Sequence, residues 1–96
     1  MSNLVEKAKR YHSLIHGILL KEWDPIGVSH IPEAQDEYDS YVGEVHRLLS
    51  RRVPQHEIFN YLWSVETEHM GLCGNRQRTE QVAAKLTNLV QEMEKP

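Results

Sequence analysis

The chain of 96 residues has one cysteine, Cys73, one phenylalanine and no long apolar run. A single cysteine excludes an internal disulfide and favours a reducing compartment. The N-terminal sequence MSNLVEKAKR has no apolar segment of the signal-peptide kind, and the longest apolar run, residues 18–20, is far too short to span a bilayer. These absences predict a cytoplasmic protein that makes no membrane contact.

Positive charge is missing from one quarter of the chain. Residues 22–46 contain no Lys or Arg, whereas the rest holds all eleven bases and seven of the fourteen acids. The net charge of −3 and the pI near 6.0 argue against direct nucleic-acid binding, which needs a positive surface. Charge segregation concerns partners rather than fold, and here it predicts a surface that attracts a cationic protein. The acids of this stretch are Glu22, Asp24, Glu33, Asp36, Glu37, Asp39 and Glu44.

Apolar residues recur at the spacing of helices, and no segment alternates in the manner of a strand. The pattern predicts an all-α fold in a single domain, residues 1–96, built as a bundle of about four helices. Gly71 is expected to end the third helix, Asn75 to cap the fourth, and Gly17 to mark a close backbone approach. The expected helices span residues 4–22, from 33–36 to about 51, 54–70 and 76–93.

The connection between the first two helices is unusually long and contains prolines. It runs from Trp23 to Asp39 as WDPIGVSHIPEAQDEYD, and we call it the elbow. Pro25 stops the first helix because the residue before a proline is pushed out of the helical region. Long connections inside compact domains are often functional. Asp36, Glu37 and Asp39 are expected in the first turn of helix 2, where the helix dipole favours anions.

Motifs for metal or catalytic chemistry are incomplete. Glu66 and His69 have the i, i+3 spacing of di-iron bundles, but such a site needs a second pair and two further carboxylates. We therefore expect both to be surface residues near a helix end. His12 and His16 lack a third ligand, and no motif pairs Cys73 with a base. The sequence predicts no metal, no cofactor and no enzymatic activity. The alternative is a small metal- or ligand-binding module that uses Glu66, His69 and acids of helix 2.

Four segments carry a resemblance: LLKEWDPIGV, PEAQDEYDSYV, VETEHMGL and GNRQRT. They resemble a group of small, stand-alone bacterial helical proteins with no assigned activity, and the resemblance covers roughly residues 14–90. It implies a compact helical fold and transfers no catalytic residue. In size and style the chain is also similar to the immunity proteins that neutralise bacterial contact-dependent toxins.

Charge pattern and resemblance together predict a non-enzymatic protein-binding protein. Its most specific form is a bacterial immunity protein whose acidic face covers a basic, nuclease-type toxin domain. Tyr38 or Tyr41 would add apolar contact if exposed, whereas Trp23 and Trp63 are expected in the core because the chain has few other bulky aromatic residues. A homo-oligomer, such as a homodimer, whose acidic segment only confers solubility is a further alternative. The predicted partner-binding residues are Asp24, Glu33, Asp36, Glu37, Asp39, Tyr41 and Glu44.

Overall fold

The computed structural model describes residues 2–93, with side chains from residue 5 onward. The chain is 75% helical, and the described residues contain no strand. The predicted all-α bundle of four helices is confirmed. The helices are α1 (Ser2–Ile18), α2 (Asp39–Ser50), α3 (Gln55–Ser64) and α4 (Arg76–Met93).

Two helices continue into a wider turn. Leu19–Trp23 extends α1 and Val65–His69 extends α3, with N–H groups that reach back five residues rather than four. The N–H of Asp24 donates to the carbonyl of Leu19 at 2.9 Å, and that of Met70 to the carbonyl of Val65 at 2.8 Å. Turns of this kind are rare overall, but those that occur often lie at functional sites. The first of these turns contains Trp23 and the second contains Glu66, and both side chains are buried.

The core lies where the α1–α2 pair meets the α3–α4 pair, and the turn after α1 rests on α4. Trp23 and Tyr38 are the largest fully buried side chains, and their rings are 5.5 Å apart. Trp63 is only partly buried and stacks on Phe59 at 5.7 Å, so the expected core position holds fully for Trp23 alone of the two tryptophans. The other buried apolar residues include Ile15, Leu19, Val42, Val45, Ile58, Leu62, Val82, Ala83 and Leu86.

Helix α2 begins later than predicted. Pro32–Ala34 forms a short 3₁₀ turn, residues 35–38 form further turns, and regular helix starts at Asp39. The expected start between residues 33 and 36 was wrong because Tyr38 turns into the core beside Trp23. Only Asp39 of the acids therefore lies in the first turn. The helix-dipole explanation offered for Asp36 and Glu37 consequently loses its main ground.

Glycine has different roles at three positions. Gly71 follows the turn after α3 with a φ of 71°, which confirms the predicted stop. Gly74 has a φ of 85°, and a Cβ there would lie 2.7 Å from the ring of Trp63. Gly17 has no atom within 4 Å of where its Cβ would be, so the close backbone approach predicted there was wrong. The predicted cap is confirmed, since Asn75 Oδ1 accepts the N–H of Arg78 at 3.0 Å.

Candidate functional site: the acidic surface of the elbow

Asp24 organises the first half of the elbow. Its backbone is left-handed, with a φ of 33°, a conformation in which Asp and Asn are enriched among residues other than glycine. Oδ1 accepts the N–H of Val28 at 2.8 Å and the hydroxyl of Tyr38 at 2.7 Å, and Oδ2 accepts the N–H of Ser29 at 3.1 Å. The Tyr38 hydroxyl also accepts the N–H of Ile26 at 3.1 Å. One carboxylate and one phenol thus fix the chain reversal.

These hydrogen bonds shift the acidity of both groups. Partial burial by itself would raise the pKa of Asp24, but the hydrogen bonds from Tyr38, Val28 and Ser29 outweigh it and hold the pKa below its ordinary value. Burial, followed by the hydrogen bond to Asp24, raises the pKa of Tyr38 above its ordinary value. The arrangement is therefore an ionised carboxylate held by a neutral phenol at neutral pH.

Gln35 and His16 fix the second half of the elbow. The amide of Gln35 donates to the carbonyls of Ser29 and Ile31 at 3.0 and 2.9 Å. His16 Nε2 on α1 lies 2.8 Å from the carbonyl of Gln35 and 3.1 Å from Oδ1 of Asp39. The elbow is consequently bonded to itself and to α1, and it presents a defined surface rather than a loose loop.

Four acids of the 22–46 stretch have partners within the chain. Asp24 is held as described, and Asp39 faces His16. Glu44 pairs with Arg47 at 2.5 Å, and this hydrogen bond lowers the pKa of Glu44. Glu22 lies 2.5 Å from Nζ of Lys85 on α4. Of these four acids, Glu44 and Glu22 face Arg or Lys, so for those two the sequence pattern overstated the unpaired negative charge.

Glu33, Asp36 and Glu37 are different. All three are exposed, and none has an ion pair or a side-chain hydrogen bond within residues 2–93. They sit on the 3₁₀ turn and on the turns that follow it, within five residues of one another. We call them the exposed acids. Of the predicted partner-binding carboxylates, these are the ones that the fold leaves available.

The two tyrosines of the prediction are placed unequally. Tyr38 is fully buried, so it adds no apolar contact for a partner. Tyr41 is partly buried; its ring lies edge-on to Trp23 at 6.3 Å and edge-on to His69 at 6.0 Å. Tyr41 therefore joins the core to the surface beside the turn after α3.

Glu66 is the polar residue that the sequence interpretation misplaced. It was expected on the surface, but it is 1% exposed and lies inside the molecule. Oε1 accepts the indole N–H of Trp23 at 3.0 Å and the hydroxyl of Thr79 at 2.6 Å, while Oε2 accepts the N–H of Asn75 at 2.6 Å. The helical spacing contained a signal, since Ile58, Leu62 and Glu66 follow one another at intervals of four.

Because internal donors occupy both oxygens of Glu66, the geometry gives no support to a metal-binding module built on it. His69 is exposed, as are His12 and Cys73. Within residues 2–93 there is no group of three or more His, Cys, Asp or Glu side chains that could hold a metal ion. The partners of Glu66 instead give it a structural role, joining the turns after α1 and α3 to the start of α4.

No helix among the described residues has both the length and the apolar character needed to cross a membrane. No protein-family model, no curated protein and no solved structure matches the chain. The assignment of the fold and of the candidate site therefore rests on the residues and contacts given above. The resemblance drawn from the sequence stays a prediction.

Proposed function

We propose that this chain is a non-enzymatic binding protein of the bacterial cytoplasm, an immunity protein that neutralises a basic, nuclease-type toxin through the elbow. The observation that carries the proposal is the set of exposed acids Glu33, Asp36 and Glu37. They have no cationic partner in the described part of the chain, and they lie on a segment that internal hydrogen bonds hold in place.

Unpaired carboxylates suit this task for two reasons. They need not give up an internal ion pair before they meet a cation, so their charge is available at the first encounter. Complementary charge raises association rates and helps to choose the partner, and it matters less as salt rises. The groove of a nuclease that accepts phosphate is rich in Lys and Arg, so an acidic surface of similar extent could occupy it.

The other predicted acids, Asp24, Asp39 and Glu44, have partners within the chain. Asp24 holds the shape of the elbow, Asp39 lies 3.1 Å from Nε2 of His16, and Glu44 is ion-paired with Arg47. Asp24 and Asp39 help to position the elbow through these contacts, and their charge adds to the long-range negative field. Direct contact is assigned to the exposed acids.

The test uses the protein encoded beside this chain's gene, coexpressed with the chain and purified as a complex. Replacing Glu33, Asp36 and Glu37 with Lys is expected to slow association at least tenfold at low salt and to abolish protection of the host. A control with equal charge change replaces the exposed residues Glu6, Glu57 and Glu92 with Lys. If both triple variants bind as the native chain does, the assignment to the elbow is wrong. If the protein encoded beside this chain's gene is neither basic nor toxic, the proposed immunity role is wrong.

A further inference from the structure

The elbow also exposes apolar side chains. Ile26 is 45% exposed and Ile31 is 37% exposed, and they are two of the five large apolar residues exposed in the described part of the chain. The other three are Val5, Leu14 and Leu72, which lie outside residues 22–46. Single exposed apolar residues are ordinary, so exposure alone says little. The relevant feature is that both isoleucines lie on the segment that carries the exposed acids.

Both isoleucines are attached to rigid backbone. The N–H of Ile26 donates to the Tyr38 hydroxyl, whose own proton goes to Asp24. The N–H of Ile31 donates to the carbonyl of Val28 at 3.0 Å, and the carbonyl of Ile31 accepts the amide of Gln35 at 2.9 Å. Groups held in place before binding lose little conformational freedom when a partner covers them. Ile26 and Ile31 are thus ready-made apolar contacts.

We propose that Ile26 and Ile31 form the apolar part of the docking surface, and that its occupant is a basic protein segment that carries apolar side chains among its Lys or Arg residues. This inference rests on the proposed function, because the exposed acids supply the attraction. Interfaces gain most from apolar contacts that exclude water, while charged groups at the rim direct the encounter. Nucleic acid and anionic lipid surfaces carry the wrong charge for this segment.

Three synthetic peptides of equal length serve as probes. The mixed peptide alternates Lys with Leu, the cationic peptide has Ser in place of Leu, and the apolar peptide has Ser in place of Lys. Amide chemical shifts of the ¹⁵N-labelled chain are followed during each titration. We expect the mixed peptide to bind at least tenfold more tightly than the cationic one, with shifts centred on Ile26, Ile31 and the exposed acids. The apolar peptide is expected to bind at least tenfold more weakly than the mixed one.

Variants divide the effect between charge and apolar contact. Replacing Ile26 and Ile31 with Ser is expected to reduce binding of the mixed peptide to the level of the cationic peptide, whose own affinity stays unchanged. The matched control replaces Val5 and Leu14, which are exposed outside the elbow, with Ser. This control is expected to leave the affinities for the mixed and the cationic peptide unchanged. Replacing the exposed acids with Gln and Asn is expected to weaken the binding of both the mixed and the cationic peptide.

The outcomes separate this inference from the proposed function. If the cationic peptide binds at the elbow but Leu adds nothing, Ile26 and Ile31 are not contacts, and the electrostatic proposal stands. If no cationic peptide shifts the exposed acids, both proposals fail. Concentration-dependent shifts at Ile26 and Ile31 in the chain alone, with a dimer in light scattering, would make a second copy the occupant and overturn the inference.

Discussion

Glu66 and the exposed acids of the elbow show two opposite uses of negative charge in one small molecule. Glu66 is almost completely buried, and its two oxygens accept three hydrogen bonds from Trp23, Thr79 and Asn75. Glu33, Asp36 and Glu37 are exposed and bond to no side chain of the described part. A buried charge is tolerated only when its hydrogen bonds are satisfied, whereas an exposed one needs nothing from its own chain.

Asp24 lies between these extremes. It is partly buried and, like Glu66, accepts three hydrogen bonds, but it holds the acidic elbow rather than the core. Negative charge in this chain thus performs separate tasks according to burial. Burial and the number of donors therefore predict how much stability each carboxylate provides.

The largest effect is expected from Glu66→Ala. The substitution leaves the indole of Trp23, the hydroxyl of Thr79 and the N–H of Asn75 without their acceptor inside the protein. An unsatisfied buried donor costs about 1–3 kcal/mol, so a loss of about 3–5 kcal/mol in the free energy of unfolding is expected. Domains of this size have about 5–15 kcal/mol in total, so the variant is close to unfolding. Urea denaturation followed by circular dichroism measures the change.

Glu68→Ala is the matched control for Glu66. Glu68 is two residues away, exposed, and bonded only to the hydroxyl of Ser64 at 2.9 Å. Its removal is expected to change the free energy of unfolding by no more than about 0.5 kcal/mol. Similar losses for the two variants would show that the buried hydrogen bonds of Glu66 add no net stability, and the contrast between inside and outside would disappear.

An intermediate effect is expected from Asp24→Ala, which removes three hydrogen bonds that solvent can partly replace. We expect a loss of about 2 kcal/mol at pH 6. Since folding lowers the pKa of Asp24, the ionised form favours the folded state. Its contribution to stability is complete above the pKa of Asp in the unfolded chain, about 4. The contribution is lost as the pH falls through the lower pKa of Asp24 in the folded chain. The difference in the free energy of unfolding between the native chain and the Asp24→Ala variant should therefore decrease from pH 6 to pH 3.

Asp24→Asn provides the control for the backbone at the same position. Asn tolerates left-handed backbone and keeps one acceptor oxygen, so it should retain more stability than Ala and show no carboxylate titration. A gap between native chain and Asp24→Ala that stays constant from pH 6 to pH 3 would contradict the role given to the ionised carboxylate.

The sequence predicted what depends on periodicity and local chemistry. The four helices, the stop at Gly71 and the cap at Asn75 follow from spacing and from preferences of single residues. The start of α2 was missed because Tyr38 packs against Trp23, a contact between residues fifteen apart. Local signals do not report such contacts.

The candidate site was predicted in part for the same reason. Charge counting located the acidic stretch, but it treated Asp24 and Glu33 as equivalent, although one holds the elbow and the other is exposed. Glu66 was judged by its charge, whereas its position four residues after Leu62 placed it on the buried side. A charged residue at an apolar position of a helix is therefore a candidate internal hydrogen-bond acceptor.

The smallest effect on stability is expected from neutralising the exposed acids together, as Glu33→Gln, Asp36→Asn and Glu37→Gln. These side chains make no contact that folding needs, and removing neighbouring negative charges relieves some mutual repulsion. The opposing loss is the attraction of Asp36 and Glu37 to the nearby start of α2, about 0.3–1 kcal/mol for a charge in the first turn and less outside it. The free energy of unfolding should therefore change by less than about 0.5 kcal/mol, as thermal and urea denaturation at low salt can establish. A loss of about 2 kcal/mol or more would mean that these acids stabilise the fold, and their exposure would no longer indicate a surface kept for a partner.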